Sequence, residues 1–143
     1  MSSIIYPRSP REQMDGWCYL PRFIDKVRLH LAGQLPADYQ ANFAHTGFDA
    51  QWLKAAGLQA EAFIEVVKSS ITDGQVYDWV RQNVQKSPAD KAAFNQFLLN
   101  RGREENDPAI RQRLEQRKAE AGFSHRHDIQ TFVDFIDADE KRL

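Results

Sequence analysis

Apolar positions along this chain recur in short stripes of helical period. Between residues 21 and 33, Phe23, Ile24, Val27 and Leu31 share one arc of about 100° at helical spacing. Arg22, Asp25, Lys26 and Leu29 take the opposite side. Pro21 suits a first helical turn, whose N–H groups lack partners, and Gly33 suits the left-handed residue that closes a helix. The pattern predicts a central helix over 21–33. Leu29, apolar within the charged face, implies that a second layer covers part of that face. Charges fenced in this way must find partners.

The remaining stripes predict further helices. Asp49 is read as an N-cap, Phe48 and Leu53 as a hydrophobic staple and Gly57 as the stop of a two-turn helix. A helix near 60–69 carries Phe63, Ile64, Val66 and Val67. Thr72 and Gln75 have the spacing of a capping box ahead of Val76, Trp79 and Val80. Ser87-Pro88-Ala89-Asp90 opens a helix bearing Phe94, Phe97 and Leu98, which Gly102 ends. Asp107-Pro108 opens another that runs to Gly122. Its narrow line of Ile110, Leu114 and Ala121 makes it a mostly exposed helix. Asp128 is the candidate cap of a last helix with Ile129, Phe132, Val133 and Ile136 buried. The connection 34–47 reads as an irregular stretch or short helix, then a loop that plugs the core.

No alternation of strand period persists beyond a few residues. The expected fold is therefore all-α, a single compact domain over 1–143 of about six to seven helices. Residues 1–20 hold Pro7, Pro10 and Gly16 with no helical period, yet carry Ile4, Ile5, Tyr6, Met14, Trp17, Tyr19 and Leu20. So much apolar surface predicts an ordered, extended N-terminal arm that brings Arg8 and Arg11 near the first helix.

Composition narrows the chemistry. The 143 residues carry 19 basic and 20 acidic side chains, net charge −1, so no global field draws the chain to nucleic acid or an anionic membrane. No apolar run approaches the ~20 residues that span a bilayer, and the N-terminus lacks the apolar core of a secretory signal. One cysteine, Cys18, permits no intrachain disulfide and fits a reducing cytoplasm as a buried, inert thiol. His125, His127 and Asp128 lack a third strong ligand at usual spacing, so neither a metal nor another cofactor is expected. Phosphate loops, nucleophile elbows and zinc-protease signatures are missing from the sequence.

The opening and closing segments resemble a known family. Ser9-Pro10-Arg11, then Leu20-Pro21-Arg22-x-Ile24-Asp25-Lys26-x-Arg28-x-x-Leu31-x-Gly33, and finally Asp137-x-Asp139-Glu140-x-Arg142 are similar to small bacterial proteins known as a domain of unknown function. The resemblance covers most of the chain and implies one helical domain with the Pro-Arg and Ile-Asp-Lys segments as hallmark. It implies no activity, cofactor or partner. Lys141 stands where the family pattern has a glycine.

Three functions compete. The first is a protein-interaction or regulatory module with an unknown protein partner, its surface on the basic arm and first helix. The second is a binder of a small anionic metabolite, or an enzyme acting on one, in which Arg11, Arg22, Asp25, Lys26 and Arg28 form the anion site. There, arginine would hold a carboxylate or phosphate in bidentate fashion. The third, nucleic-acid binding through the arginines of 101–118, is disfavoured by the interleaved acidic residues. Oligomeric state is not legible.

Overall fold

The computed structural model describes residues 4–103 and 107–143, so residues 1–3 of the expected arm lie outside the described part. In order it contains β1 (Gln13–Met14), β2 (Trp17–Cys18), α1 (Leu20–Leu31), α2 (Ala37–Gln40), α3 (Gly47–Ala56), α4 (Ala60–Lys68), α5 (Asp73–Asn83), α6 (Pro88–Asn100), α7 (Pro108–Glu120) and α8 (Phe132–Asp139). The fold is mainly helical, as the stripes predict, with eight helices among the described residues. Two compact units divide the chain, Met1–Phe94 and Asn95–Leu143.

The first unit begins with a feature that the periodicity does not predict. Residues 13–18 form a two-stranded antiparallel hairpin in which Gln13 faces Cys18 and Met14 faces Trp17. Its two-residue turn is Asp15-Gly16, and both residues have positive φ, 54° and 79°. Such a turn matches the right-handed twist of paired strands, which is why Asp-Gly is a strong hairpin signal even between strands too short to alternate. Lys91 in α6 holds the turn, its Nζ donating to Asp15 O at 2.7 Å and to Asp15 Oδ2 at 3.2 Å.

The hairpin delivers Trp17 and Tyr19 to an aromatic core. Trp17 meets Trp52 and Phe94 edge-on, each with ring centroids 5.8 Å apart. Phe23 of α1 packs on Phe63 of α4 at 4.8 Å and on Trp52 of α3 at 5.9 Å. Trp17, Phe23, Trp52 and Phe63 are fully buried. Aromatic side chains each remove about 150–250 Å² from water, so these rings dominate the unit's hydrophobic stabilisation.

α1 is the central helix, shifted from the expected 21–33 to Leu20–Leu31. Phe23, Ile24 and Val27 are buried as their stripe predicts, but Leu31, at the end of that stripe, is 45% exposed. α3 begins three residues earlier than expected. Thr46 precedes it, so Asp49 lies inside the first turn instead of capping the helix. The expected starts of α5 and α6 hold. Thr72 and Gln75 form a complete capping box, and Ser87 with Asp90 exchange two backbone-to-side-chain bonds of 3.1 Å.

In the second unit Leu98, Leu114, Ile129 and Val133 are buried. Gly102 has φ +102°, and a Cβ there would stand 3.1 Å from Leu114 and 3.2 Å from Phe132, so the turn after α6 needs glycine. Asp107 caps α7, accepting from Ala109 N at 2.9 Å. That helix is mostly exposed, as its narrow stripe implies, with Leu114 and Lys118 its buried residues. Lys118 lies 2% exposed, its stem buried and its Nζ donating to Ile129 O at 3.1 Å. α8 is capped by Thr131, whose hydroxyl accepts from Asp134 N at 3.0 Å. Asp128 instead forms a two-pronged pair with Arg126. Lys141, at the expected glycine, has φ +65°, the left-handed conformation that glycine adopts without strain.

Candidate functional site

α1 projects its charged residues into two distinct groups. Successive steps of four carry Arg22, Lys26 and His30 along one line of the helix, whereas Asp25 and Arg28, three apart, turn toward the arm and α5.

The first group is buried. Lys26 Nζ donates to Asp49 at 3.0 Å, and Asp49 also accepts from Ala44 N at 2.8 Å and from the Tyr19 hydroxyl. Asp49 is 0% and Lys26 4% exposed. A carboxylate can persist so far from water only when charge and hydrogen bonds replace its hydration, and these three donors do so. Burial drives the Tyr19 phenol well above its ordinary pKa of 10, and the Asp49 charge raises it further. Arg22 acts on the same phenol in the opposite sense and donates from Nη1 to Arg8 O at 3.1 Å.

Two strained residues converge on this carboxylate. Tyr19 has φ 79° and Ala44 φ 63°, both left-handed. Each such residue costs about 1–3 kcal/mol and persists only where its surroundings over-determine it. Tyr19 is fixed by the hairpin before it, by Pro21 after it and by its hydroxyl on Asp49.

The second group lies at the surface and couples the arm to two helices. Arg8 grips Asp25 with backbone N, Nε and Nη2 at 2.9, 2.9 and 3.0 Å, and its Nη2 reaches Asp73 at 2.9 Å. Asp73, the first residue of α5, also receives Arg28 Nη1. The hydrogen bond to Asp25 raises the Arg8 pKa. Desolvation pushes Asp73 upward, but hydrogen bonds and charge from Arg28 and Arg8 prevail and hold it below its ordinary value. Nη2 of Arg28 is buried and has no hydrogen-bond partner among the described residues.

The five expected site residues therefore separate. Arg22 and Lys26 share the buried group, Asp25 and Arg28 share the surface group, and Arg8 touches both. Arg11 is exposed on the arm, its backbone N donating to Ser9 Oγ at 3.2 Å. Tyr19, Asp49 and Asp73 escaped the sequence reading. Asp49 and Asp73 each carry a local signal, an acid near a helix start, that does not disclose a distant partner. Cys18 is buried, its thiol raised by desolvation and contacted by Gln13 Nε2 at 3.4 Å. No group of three or more metal-ligating residues occurs among the described residues, and no described helix is long and apolar enough to cross a membrane.

Fold and site together define a small, mainly helical protein built around a central helix with one buried and one half-buried charge network. The chain belongs to the family described as domain of unknown function DUF5069, whose model matches residues 4–142. No curated protein matches it.

Proposed function

We propose that this chain is a protein-interaction module whose docking surface surrounds the Arg28–Asp73 ion pair. The carrying observation is one exposed apolar side chain on α1 and another in the connection just before α5, the two helices joined by that pair. Leu31, one turn beyond Arg28, is 45% exposed, and Ile71, two residues before Asp73, is 87% exposed. Single exposed apolar residues are ordinary, but two flanking one ion pair suit an apolar anchor with a charged rim. Arg8 and Arg28 frame this surface, so the partner is a segment presenting an apolar residue beside a carboxylate. The single, buried Cys18 supports work in a reducing cytoplasm.

The test is capture of partners from a native lysate by the wild type, Leu31→Asp and Ile71→Asp. A specific partner held by the wild type and lost from both variants, with unchanged melting temperature, supports the module. Equal capture by all three, or none by the wild type, overturns it.

A second reading is a binder of a small anionic metabolite, with or without catalysis, using Arg22 and Lys26 of the set Arg11, Arg22, Asp25, Lys26 and Arg28. It is favoured by the meeting of two cations and a phenol in one place, a donor set suited to carboxylate or phosphate. A ligand at 100 times its dissociation constant adds about 2.7 kcal/mol to the native state. Phosphate or a carboxylate should raise the melting temperature of the wild type and not that of a folded Arg22→Ala variant. No shift in the wild type counts against this reading.

A further inference from the structure

The segment between Gly33 and Gly47 lies along the basic line of α1. Tyr39 places its ring 5.9 Å from the Arg22 guanidinium, Asn42 O accepts from Lys26 Nζ at 3.4 Å, and Phe43 stacks on His30 at 4.3 Å. These three contacts fall on successive turns of α1, so the segment is a strap over the 22–26–30 line. Ala44 then bonds the Asp49 carboxylate beneath.

The strap buries few side chains, although Phe43 also meets Phe23 at 6.5 Å between ring centroids and Gln40 Oε1 lies 3.0 Å from His30 Nδ1. α2, its one helical turn, buries none of its residues. Leu35 and Ala44 are its buried side chains, and the rest is half-buried or exposed. Segments with few buried apolar contacts open at a fraction of the global unfolding free energy. Both ends carry left-handed glycines, Gly33 at φ 69° and Gly47 at φ 63°, and among the described residues, chain neighbours aside, no atom lies within 4 Å of a Cβ built on Gly33. Hinges need such freedom to absorb backbone rotation. The left-handed strain at Ala44 is released on opening, which lowers the cost of that motion.

We propose that residues 34–46 form a lid which opens about Gly33 and Gly47 and exposes a binding site for a small phosphate or carboxylate anion on Arg22, Lys26 and His30. This deepens the anion-binding reading above and rests on it. In the closed state the lid's ring, carbonyl and stacked aromatic occupy the line. An anion binds the open form, replaces the Asn42 carbonyl at Lys26 and brings charge to the Arg22 guanidinium. Affinity is then reduced by the fraction of molecules that are open, so loosening the lid strengthens binding without adding a contact.

Hydrogen exchange of the full chain, with inorganic phosphate or acetate as probe, tests both parts. The amides of Phe43, Ala44 and His45 should exchange at least about tenfold faster than the interior amides of α1, since each 1.4 kcal/mol of local stability is tenfold in exchange. Phosphate or acetate should accelerate them further, and the responding anion identifies the source chemistry. Phe43→Ala should lower the midpoint of that response about threefold to tenfold, and Arg22→Gln in the same background should remove it. Ala44 exchanging no faster than α1 overturns the lid, even if an anion stabilises the protein. Fast exchange of the strap that neither anion changes overturns the site, and with it the anion-binding reading.

Discussion

One helix supplies two charge networks built from the same residue types, and burial makes them physically different. Lys26 and Asp49 have side chains 5% and 0% exposed, whereas Arg8, Asp25, Arg28 and Asp73 range from 24% to 38%. At the surface, water competes for every ion and salt screens what remains, so such pairs contribute little. In the interior each ion has lost its hydration, so removing one partner leaves the other stranded. The buried pair is thus conditionally essential, since each ion makes the other necessary, while the surface set orients the arm at small energetic consequence.

The contrast is broken most directly at Asp49. Asp49→Ala strands the Lys26 ammonium and frees Ala44, so it should cost about 3–5 kcal/mol by urea unfolding. A loss under about 1 kcal/mol would mean that Lys26 escapes to water and that the interior is not closed. The double variant Asp49→Leu with Lys26→Met should be less destabilised than Asp49→Ala, because it leaves no unpaired charge.

Tyr19→Phe should cost less, about 1–2 kcal/mol, by removing one of the two donors to Asp49 Oδ1, which Lys26 Nζ continues to serve. It also carries a pH signature. The folded-state pKa of Tyr19 is raised, so its neutral form contributes fully below the unfolded value of 10 and that contribution is lost as pH rises through the folded value. Unfolding free energy of the wild type should fall above pH 10, and Tyr19→Phe should fall less steeply. Identical slopes would place Tyr19 in contact with solvent.

The smallest effect belongs to the half-buried set. Asp73→Asn should cost about 0.2–1 kcal/mol at low salt and less in 1 M NaCl. Asp73 is held below its ordinary value in the folded state, so its share is present above about pH 4 and lost as pH falls through the folded value. A cost equal to that of Asp49→Ala would erase the distinction between the two networks.

How far these networks were legible follows from the range of their signals. Thr72 with Gln75, Ser87 with Asp90 and Asp107 with Ala109 are partners within three residues, and local spacing identified all three helix starts. Asp49 illustrates the opposite case. An acid beside a helix start satisfies the N-cap rule, but two of its three donors come from Tyr19 and Lys26, thirty and twenty-three residues away. Leu29 did signal that the charged face of α1 is covered, without naming the strap that covers it. The Asp15-Gly16 hairpin was legible in principle. Its strands are two residues each, below the length at which alternation can be counted, so only the turn chemistry announced it.

The anchoring of that hairpin bears on synthesis. Asp15 is held by Lys91, seventy-six positions later, and Trp17 leans on Phe94. At about 5–20 residues per second, roughly 4–15 s separate the appearance of the hairpin from that of its anchor. Throughout that interval the nascent chain holds Trp17 and Tyr19 without part of their eventual neighbourhood. The hairpin, made before every helix of its unit, is among the last parts of that unit to be secured.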